Sequence, residues 1–336
     1  MNMKRNVYLL VFLVLPALIL SACGQSTGVS GSGYPSKAIT VVAPSGAGGG
    51  WDLTARVFTK VLGEAKLVNQ PMMVENKPGG GGAVFLAEYV TGEPKNDYKL
   101  FVNSPPILIN HLKAEGNSPY GYQDTTPLAQ LTKDFGAYVV KADSSFQTLA
   151  DLINALKSDP TKITVAGGSA PGSMDHLVAV LPAYKSGIDP KTIKYVSYDG
   201  GGEAMAALLG GNADMIATDA SSVGDYLKAG KVRVLAVTSK ERLDGDLKEV
   251  PTLKDLGIDA DFTIWRGVFG PKEMSQEAYQ FWQNTLKKMV DTPEWKKELD
   301  ANHWASEYRN GEEFKSFLGE QEKLIQDMLS SMGMAK

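Results

Sequence analysis

The sequence predicts an α/β protein with two lobes, whose mostly parallel sheets are joined by two crossover strands. Short apolar runs alternate with amphipathic helical patterns through most of the chain, which is typical of βαβ units. The length of 336 residues exceeds that of a usual single domain. Two apolar runs, 135–141 and 232–238, stand where one group of units gives way to the next. These two runs are the predicted crossovers.

Eight apolar runs are predicted strands and six patterns between them are predicted helices. In the first helix Leu53, Val57 and Val61 recur at a spacing of four, as a single buried face requires. The strands are Ile39–Ala43, Met72–Asn76, Leu100–Asn103, Ala137–Lys141, Ile163–Ala166, Ile193–Ser197, Met215–Thr218 and Val232–Thr238. The helices are Asp52–Leu62, Ala83–Thr91, Leu149–Lys157, Ser173–Tyr184, Gly202–Leu209 and Ser221–Ala229. The C-terminal part is predicted to hold three more helices, with no strand between them: Gln276–Val290, Pro293–Ala301 and Gly311–Met332.

The two crossover runs divide the chain into a discontinuous lobe and a continuous one. Lobe 1 is predicted to combine 34–135 with 236–336, and lobe 2 to span 141–233. The hinge strands then lie near 135–141 and 232–238, and paired crossings of this kind permit closure around a ligand. A single continuous large domain is the alternative.

The N-terminal segment carries the pattern of a targeting signal. Two basic residues precede an apolar run at 7–20 that is too short to span a bilayer, and the sequence Leu-Ser-Ala-Cys follows. Cys23 is the only cysteine, so it has no partner for an internal disulfide. We expect 1–22 to be a lipoprotein signal peptide, Cys23 to be lipidated, and 23–33 to form a Gly/Ser tether. An ordinary signal peptide is the alternative.

This pattern predicts an extracytoplasmic protein that meets the membrane only through its lipid. The anchor would lie at the outer face of the bacterial cytoplasmic membrane, or the protein would be a periplasmic lipoprotein. The net charge of −4 gives no support for nucleic-acid binding, which calls for a basic face.

Motifs of catalysis and cofactor binding are missing from the sequence. It contains no G-x-x-x-x-G-K-[ST], no G-x-S-x-G and no H-E-x-x-H, and the glycine loop at 46–50 lacks the third glycine of the dinucleotide fingerprint. The histidines, His111, His176 and His303, are isolated along the chain. We therefore expect no cofactor, no metal and no enzymatic activity.

Four glycine-rich stretches follow predicted strands: 46–50, 79–82, 167–172 and 200–202. Ligands of open α/β sheets bind at the carboxyl ends of strands, and a helix N-terminus offers free N–H donors to an anion. The stretch at 79–82 is equally consistent with a simple turn. The stretches at 46–50 and 167–172 each join an apolar strand to a polar helix start, so they predict two halves of an anion site.

Three side chains near these loops have open roles. Asp52 is more consistent with a helix cap than with a ligand contact, because a carboxylate repels an anion. Trp51 either forms a wall of the pocket or packs into lobe 1. His176 either faces the ligand or caps its helix.

Several short motifs, in order, resemble the TctC/Bug family of extracytoplasmic solute-binding proteins. The resemblance covers about 34–330. It rests on Tyr34-Pro35, Pro44 with Gly49-Gly50-Trp51-Asp52, Val74-Glu75-Asn76-Lys77-Pro78-Gly79-Gly80-Gly81-Gly82, Ala166-Gly167-Gly168-Ser169, Asp175-His176-Leu177, Val196-Ser197-Tyr198-Asp199-Gly200-Gly201, Leu208-Leu209-Gly210-Gly211, Ala236-Val237-Thr238 with Arg242, Val250-Pro251-Thr252-Leu253, and Trp265-Arg266-Gly267.

The resemblance implies a periplasmic-binding-protein-like fold of type II, which closes around a carboxylate and delivers it to a two-component membrane permease. It also implies that Ser45 to Asp52 and Gly167 to Ser173 grip one carboxylate from both sides. The loop Gly48-Gly49-Gly50-Trp51-Asp52 departs from the common Pro-Gly-Gly-x-x-Asp form toward the tricarboxylate-binding branch, which favours citrate over acidic amino acids or aromatic acids. Monomers are expected. A sensory module for a membrane histidine kinase is the alternative, and a hydrolase of small esters is a weaker one.

The predicted ligand-binding set joins both loops to polar residues at neighbouring strand ends. Arg266 or Lys133 is a further hypothesis, as a cation for the ligand's other carboxylates. The set is Ser45, Gly46, Ala47, Gly48, Gly49, Gly50, Trp51, Asp52, Asn103, Ser104, Gly167, Gly168, Ser169, Ser173, His176, Tyr198, Asp199, Thr218 and Asp219.

Overall fold

The computed structural model describes residues 33–47, 50–116, 118–198, 200–302 and 304–336. Its strands are β1 (Ile39–Ala43), β2 (Met72–Asn76), β3 (Lys99–Asn103), β4 (Thr126–Lys141), β5 (Thr164–Gly167), β6 (Lys194–Ser197), β7 (Met215–Asp219), β8 (Val232–Val237), β9 (Thr263–Gly270) and β10 (Ala305–Asn310). Its helices are α1 (Gly50–Glu64), α2 (Ala83–Gly92), α3 (Pro106–Leu112), α4 (Leu149–Ser158), α5 (Met174–Lys185), α6 (Gly201–Leu209), α7 (Gly224–Lys228), α8 (Gln276–Val290), α9 (Pro293–Asn302) and α10 (Gly311–Ser331).

One long strand, β4, belongs to two sheets. Its first half pairs with β9 and β10, and the first sheet continues in the order β9-β3-β1-β2. Its second half pairs with β7 and β8, and the second sheet continues in the order β7-β5-β6. The mixed α/β class with two sheets is thus confirmed.

The strand directions are more mixed than the sequence predicts. The pairs β1–β2, β1–β3, β5–β6 and β5–β7 are parallel, as expected for βαβ units. Every pairing of β4, and that of β3 with β9, is antiparallel. Four of these five antiparallel pairings involve β4, the strand that runs through both sheets.

The prediction that no strand separates the C-terminal helices was wrong. β10 lies between α9 and α10 and pairs with β4 alone. Its sequence, Ala-Ser-Glu-Tyr-Arg-Asn, is polar and partly exposed because it lies at a sheet edge, so it lacks the apolar run of a buried strand. The first half of β4 escaped prediction for a similar reason, since Gln130 and Thr132 to Asp134 interrupt its apolar residues.

The chain passes between the sheets at a closely bonded junction. The backbone N–H of Gly136 donates to Oγ1 of Thr238 at 2.7 Å, and Thr238 N–H donates to the Gly136 carbonyl at 2.9 Å. The Thr238 hydroxyl donates in turn to the Phe262 carbonyl at 2.6 Å. Thr238 thus ties β4 to the ends of β8 and β9. The predicted residue boundaries of the two lobes stay a prediction.

The core extends across both sheets. α1 buries Val57, Phe58, Val61 and Leu62 against the first sheet. A second cluster contains Phe101 and Phe269 from the first sheet together with Tyr138 from the second half of β4. Shared burial of this kind fixes the strand ends that meet at the junction.

The predicted signal peptide, Cys23 and the tether up to residue 32 lie outside the described residues. Among the helices that are described, none combines the length and the apolar character that a membrane crossing requires.

Candidate ligand-binding site

The N-terminus of α1 and the C-terminal end of β7 approach one guanidinium group. A Cβ atom built on Gly50 would lie 3.0 Å from Nη2 of Arg266. The same Nη2 lies 3.5 Å from Oδ2 of Asp219. Gly50 belongs to the first sheet's side of the molecule and Asp219 to the second sheet, so Arg266 sits at the boundary between them. The absence of a side chain at Gly50 leaves the space that the guanidinium occupies.

The strand register explains this meeting point. Arg266 lies on β9 opposite Thr132 of β4, and Asp219 lies on β7 opposite Gly136 of the same strand. The two charged residues therefore flank the part of β4 where it leaves one sheet for the other. The side chain of Arg266 is only 12% exposed, which makes it a nearly buried cation.

Three carboxylates lie within electrostatic reach of this cation. Burial raises the pKa of Asp175 to about 7, with the neighbouring Asp219 adding to the effect. Burial and Asp219 likewise raise the pKa of Asp134. The pKa of Asp219 is raised by its burial, and Arg266 opposes that rise. The titratable groups of the described part of the site are therefore mostly acids, and their raised pKa values show that further negative charge is disfavoured there.

Two of the acids already have donors. Asp134 accepts hydrogen bonds from the Phe135 N–H at 2.7 Å and from the Ser221 hydroxyl at 2.6 Å. Asp175 accepts one from the Gly168 N–H at 2.7 Å. Oδ1 of Asp219, in contrast, is buried and has no hydrogen-bond partner among the described residues.

The loop between β5 and α5 is closed on itself. Besides the bond from Gly168 to Asp175, the Asp175 N–H donates to Oγ of Ser169 at 2.9 Å. The Tyr195 hydroxyl donates to the Ser169 carbonyl at 2.9 Å. The N–H of Gly168 therefore points to Asp175, and it is not a free donor of the predicted anion cluster. Ser173 begins α5 without a side-chain cap bond.

His176 supports the same loop. Its Nδ1 accepts the Gly172 N–H at 2.8 Å, and its ring lies 4.4 Å from that of Tyr195. Burial lowers the pKa of His176 to about 4, so the imidazole is neutral near pH 7. Of the two open roles, these contacts favour the structural one.

Side chains of β2 and α1 support the loop between β1 and α1 through hydrogen bonds and an ion pair. Asn76 donates through Nδ2 to the Ser45 carbonyl at 3.1 Å and to Oδ1 of Asp52 at 2.9 Å. Arg56 pairs with the same buried carboxylate at 2.9 Å. Gly46 and Ala47 are exposed above these contacts, and Gly48 and Gly49 lie outside the described residues. Asp52 thus faces Asn76 and Arg56, which favours a structural role for it.

Trp51 is fixed in the first turn of α1. Its Nε1–H donates to Oγ of Ser104 at 2.9 Å, and its ring lies 3.4 Å from a Cβ built on Gly82. Ser104 and Asn103 are buried, and Oδ1 of Asn103 accepts the Ser104 N–H at 2.8 Å. Trp51 therefore links α1 to the loop that precedes α2, which includes the glycines predicted to form a turn.

The remaining predicted residues lie around β6 and β7. Oγ1 of Thr218 is 3.3 Å from the Ser222 hydroxyl, and Tyr198 N–H donates to the Gly167 carbonyl at 2.9 Å. A Cβ on Gly168 would lie 2.2 Å from the backbone nitrogen of Gly201, so this loop packs directly on the start of α6. Asp199 lies outside the described residues.

Sequence reasoning missed Asp134, Asp175 and Ser221 as site residues, and it offered Arg266 only as a hypothesis. The polar residues Lys133 and Asp134, which interrupt the apolar residues of β4, were the feature of the sequence that could have indicated Asp134. The other hypothesised cation, Lys133, pairs with Glu307 at 2.7 Å and is therefore already neutralised. No group of histidine, cysteine or acidic side chains able to hold a metal occurs in the described ranges.

Two sheets joined through a shared strand, with helix and strand ends meeting at one charged junction, define a two-lobed solute-binding protein. A family model described as the tripartite tricarboxylate transporter family receptor matches residues 55–334. The chain belongs to this family, whose members are extracytoplasmic solute-binding receptors and not enzymes.

Individual relatives agree with this membership. The chain is 30% identical over 306 residues to a UPF0065 protein in gbd 5'region of Cupriavidus necator, covering 90% of each chain. It is 27% identical over 277 residues to Protein BugT of Bordetella pertussis, covering 81% of this chain and 80% of the relative. A TctC solute binding protein from Polaromonas is 29% identical with a TM-score of 0.71, covering 88% of this chain and 99% of that one. MatC from Rhodopseudomonas palustris with bound malate shares the fold at 22% identity, with a TM-score of 0.73 over 88% of this chain and 100% of that one.

Proposed function

We propose that this protein captures a small carboxylate at the junction of its lobes and delivers it to a membrane permease. The observation that carries the proposal is the guanidinium of Arg266, which lies beside the N-terminus of α1 and within reach of Asp219 on the second sheet. A cation and a helix N-terminus at one point both attract an anion.

The energies available at this point are sufficient for capture. A partly buried helix N-terminus contributes up to about 2 kcal/mol to an anion, and each charge-assisted hydrogen bond about 1.5–3 kcal/mol. A micromolar affinity requires about 8 kcal/mol net. Two or three such bonds from Arg266 and the loop after β1 reach that range before the cost of closure is subtracted.

The nature of the carboxylate is the finer part of the proposal. The sequence of the loop at 48–52 favours citrate or a related tricarboxylate, with Arg266 as the partner of a second carboxylate. The relative MatC was solved with malate, a dicarboxylate. Di- and tricarboxylates are therefore the ligands to compare first.

Attachment to the membrane through Cys23 completes the proposal. A lipid on this residue would hold the protein next to the permease, with 23–33 as the tether. A Cys23→Ser variant should then appear in the soluble extracytoplasmic fraction, whereas the wild type stays with membranes. Equal partitioning of both would contradict the anchor.

Calorimetric titration of the purified protein tests carboxylate capture. We expect at least one of citrate, tricarballylate, succinate, malate and glutarate to bind with micromolar affinity. Arg266→Gln should weaken that affinity about 100-fold, which is about 2.7 kcal/mol. The control Arg242→Gln removes an exposed arginine that pairs with Asp255, and it should change nothing. Absence of any binding tighter than millimolar, with amino acids included, would refute the proposal.

Delivery is tested in cells. Loss of the protein should abolish uptake of the labelled ligand, and loss of the permease should do the same. If ligand uptake persists but a ligand-dependent kinase response disappears, the protein is the sensory module that the sequence left as an alternative.

A further inference from the structure

The balance of charge at the junction does not suit a ligand that is only an anion. Asp219 raises the pKa of both Asp134 and Asp175, and Arg266 is the cation that lowers the pKa of all three aspartates. A tricarboxylate placed there would bring further negative charge into a site that already disfavours it. A positive group on the ligand would offset part of this penalty.

One carboxylate oxygen of Asp219 lacks a hydrogen-bond donor among the described residues. Oδ2 faces Arg266 at 3.5 Å, which is long for a charged pair, and buried Oδ1 has no donor within the described residues. A buried carboxylate oxygen without a hydrogen bond costs more than a neutral acceptor in the same state. The other two aspartates differ, because backbone N–H groups already donate to both of them.

The guanidinium of Arg266 has N–H donors left to bind a ligand. A guanidinium carries five N–H donors. Among the described residues, the guanidinium of Arg266 makes one polar contact, in which Nη2 approaches Asp219. Its remaining donors can hold a carboxylate on the side of α1, while Asp219 lies on the other side. The pair thus places a hydrogen-bond donor, the guanidinium of Arg266, next to an acceptor, the carboxylate of Asp219.

We propose that Arg266 and Asp219 recognise the two charged groups of an amino acid, with Arg266 binding a carboxylate and Oδ1 of Asp219 accepting from the ammonium group. This inference rests on the proposed capture of a carboxylate at this site and adds the second group that the ligand carries. Asp219 is then the residue that determines specificity, since it favours a carboxylate that also carries an amine.

Matched ligand pairs test the inference by calorimetry on the purified protein. Aspartate against succinate and glutamate against glutarate differ only in the ammonium group. We expect the amino acid of at least one pair to bind at least tenfold more tightly than its partner. Malate, with a hydroxyl in place of the amine of aspartate, should bind like succinate.

Variants assign the preference to Asp219. In Asp219→Asn the ratio within the preferred pair should fall to threefold or less, because the amide offers no charge to the ammonium. In the control Asp255→Asn, at an exposed aspartate paired with Arg242, the ratio should stay as in the wild type. A melting curve of each variant confirms that it is folded, and the wild-type ligand pairs remain decisive if Asp219→Asn does not fold.

The outcomes separate this inference from the proposed function. If no carboxylate and no amino acid binds, capture itself is wrong. If succinate, glutarate or citrate binds as tightly as the amino acids, capture stands and the role of Asp219 is overturned. Malate equal to aspartate, or an unchanged ratio in Asp219→Asn, overturns it as well.

Discussion

The two glycine-rich loops of the site look alike in sequence and differ in how their donors are used. In the loop after β5, the N–H of Gly168 donates to Asp175 and that of Gly172 to His176. In the loop after β1, the backbone near Gly46 and Ala47 is exposed, and Gly50 lies against Arg266. The loop after β5 uses these N–H groups for bonds within the protein, whereas the loop after β1 lies beside Arg266 and the N-terminus of α1.

Glycine therefore has two separate uses in this site. Gly168 lies where another backbone segment passes at van der Waals distance, so the glycine is required for packing. Gly50 lies where a flexible side chain end occupies the space that a Cβ would take. Substitution of the first should therefore affect folding, and substitution of the second should affect binding.

The largest expected effect follows from this contrast. In Gly168→Ala the Cβ would lie 2.2 Å from Gly201 N and 2.3 Å from the Gly200 carbonyl carbon, so two backbone segments must separate. We expect a loss of free energy of unfolding at the upper end of the about 1–3 kcal/mol that overpacking costs. Urea denaturation measures it.

Gly50→Ala is the matched variant in the other loop. Its Cβ would lie 3.0 Å from Nη2 of Arg266, and the guanidinium can move. The free energy of unfolding should change by less than about 0.5 kcal/mol, whereas ligand affinity should fall about tenfold, or about 1.4 kcal/mol. A reversed pattern, with Gly50→Ala unstable and Gly168→Ala weak only in binding, would contradict the contrast.

The sequence predicted the loops and most of the strands because periodicity and glycine position are local properties. β1 and β2 begin and end at the predicted residues, and α2 begins at the predicted one. β9 and β10 were missed since their pairing with β4 depends on residues far away in the chain. The apolar run at Ile264 and Trp265 is interrupted by Arg266, which is polar because it serves the junction.

The site was less predictable than the fold. The glycine loops are visible as motifs, but the use of the Gly168 N–H by Asp175 depends on how α5 begins relative to β5. Asp134 lies 85 residues before Asp219 in the chain, and only the pairing of β4 with β7 brings them together. A cluster assembled by sheet register leaves no spacing signal in the sequence.

The dependence of stability on pH tests the role of Asp175 in the loop between β5 and α5. The pKa of Asp175 is about 7 in the folded protein and near its ordinary value of 3.8 when unfolded. Between these values the folded state binds the extra proton, so stability falls as pH rises. Asp175 should account for a decline of up to about 1.4 kcal/mol per pH unit between roughly pH 4 and 7.

Asp175→Asn removes this proton and should remove the part of the decline that Asp175 causes, while its amide oxygen can still accept the Gly168 N–H. Urea denaturation at several pH values measures the slope. Asp255 is a control of opposite sign, because hydrogen bonds from the Thr252 backbone and then Arg242 lower its pKa. Its stabilising contribution is lost as pH falls, so Asp255→Asn should leave the decline above pH 5 unchanged. A slope between pH 5 and 7 that is the same in Asp175→Asn as in the wild type would contradict the role of Asp175.

The smallest effect concerns how the open loop is supported. Ser104→Ala removes the acceptor of the Trp51 Nε1–H, a bond of 2.9 Å, and should lower the free energy of unfolding by about 1 kcal/mol. Ser36→Ala, which removes an exposed hydroxyl next to Tyr98, should cost less than half of that. Because Trp51 packs on Gly82 within the first lobe, ligand affinity should stay within threefold of the wild type. A tenfold loss of affinity with unchanged stability would instead place the indole against the ligand, which is the other role that the sequence left open for it.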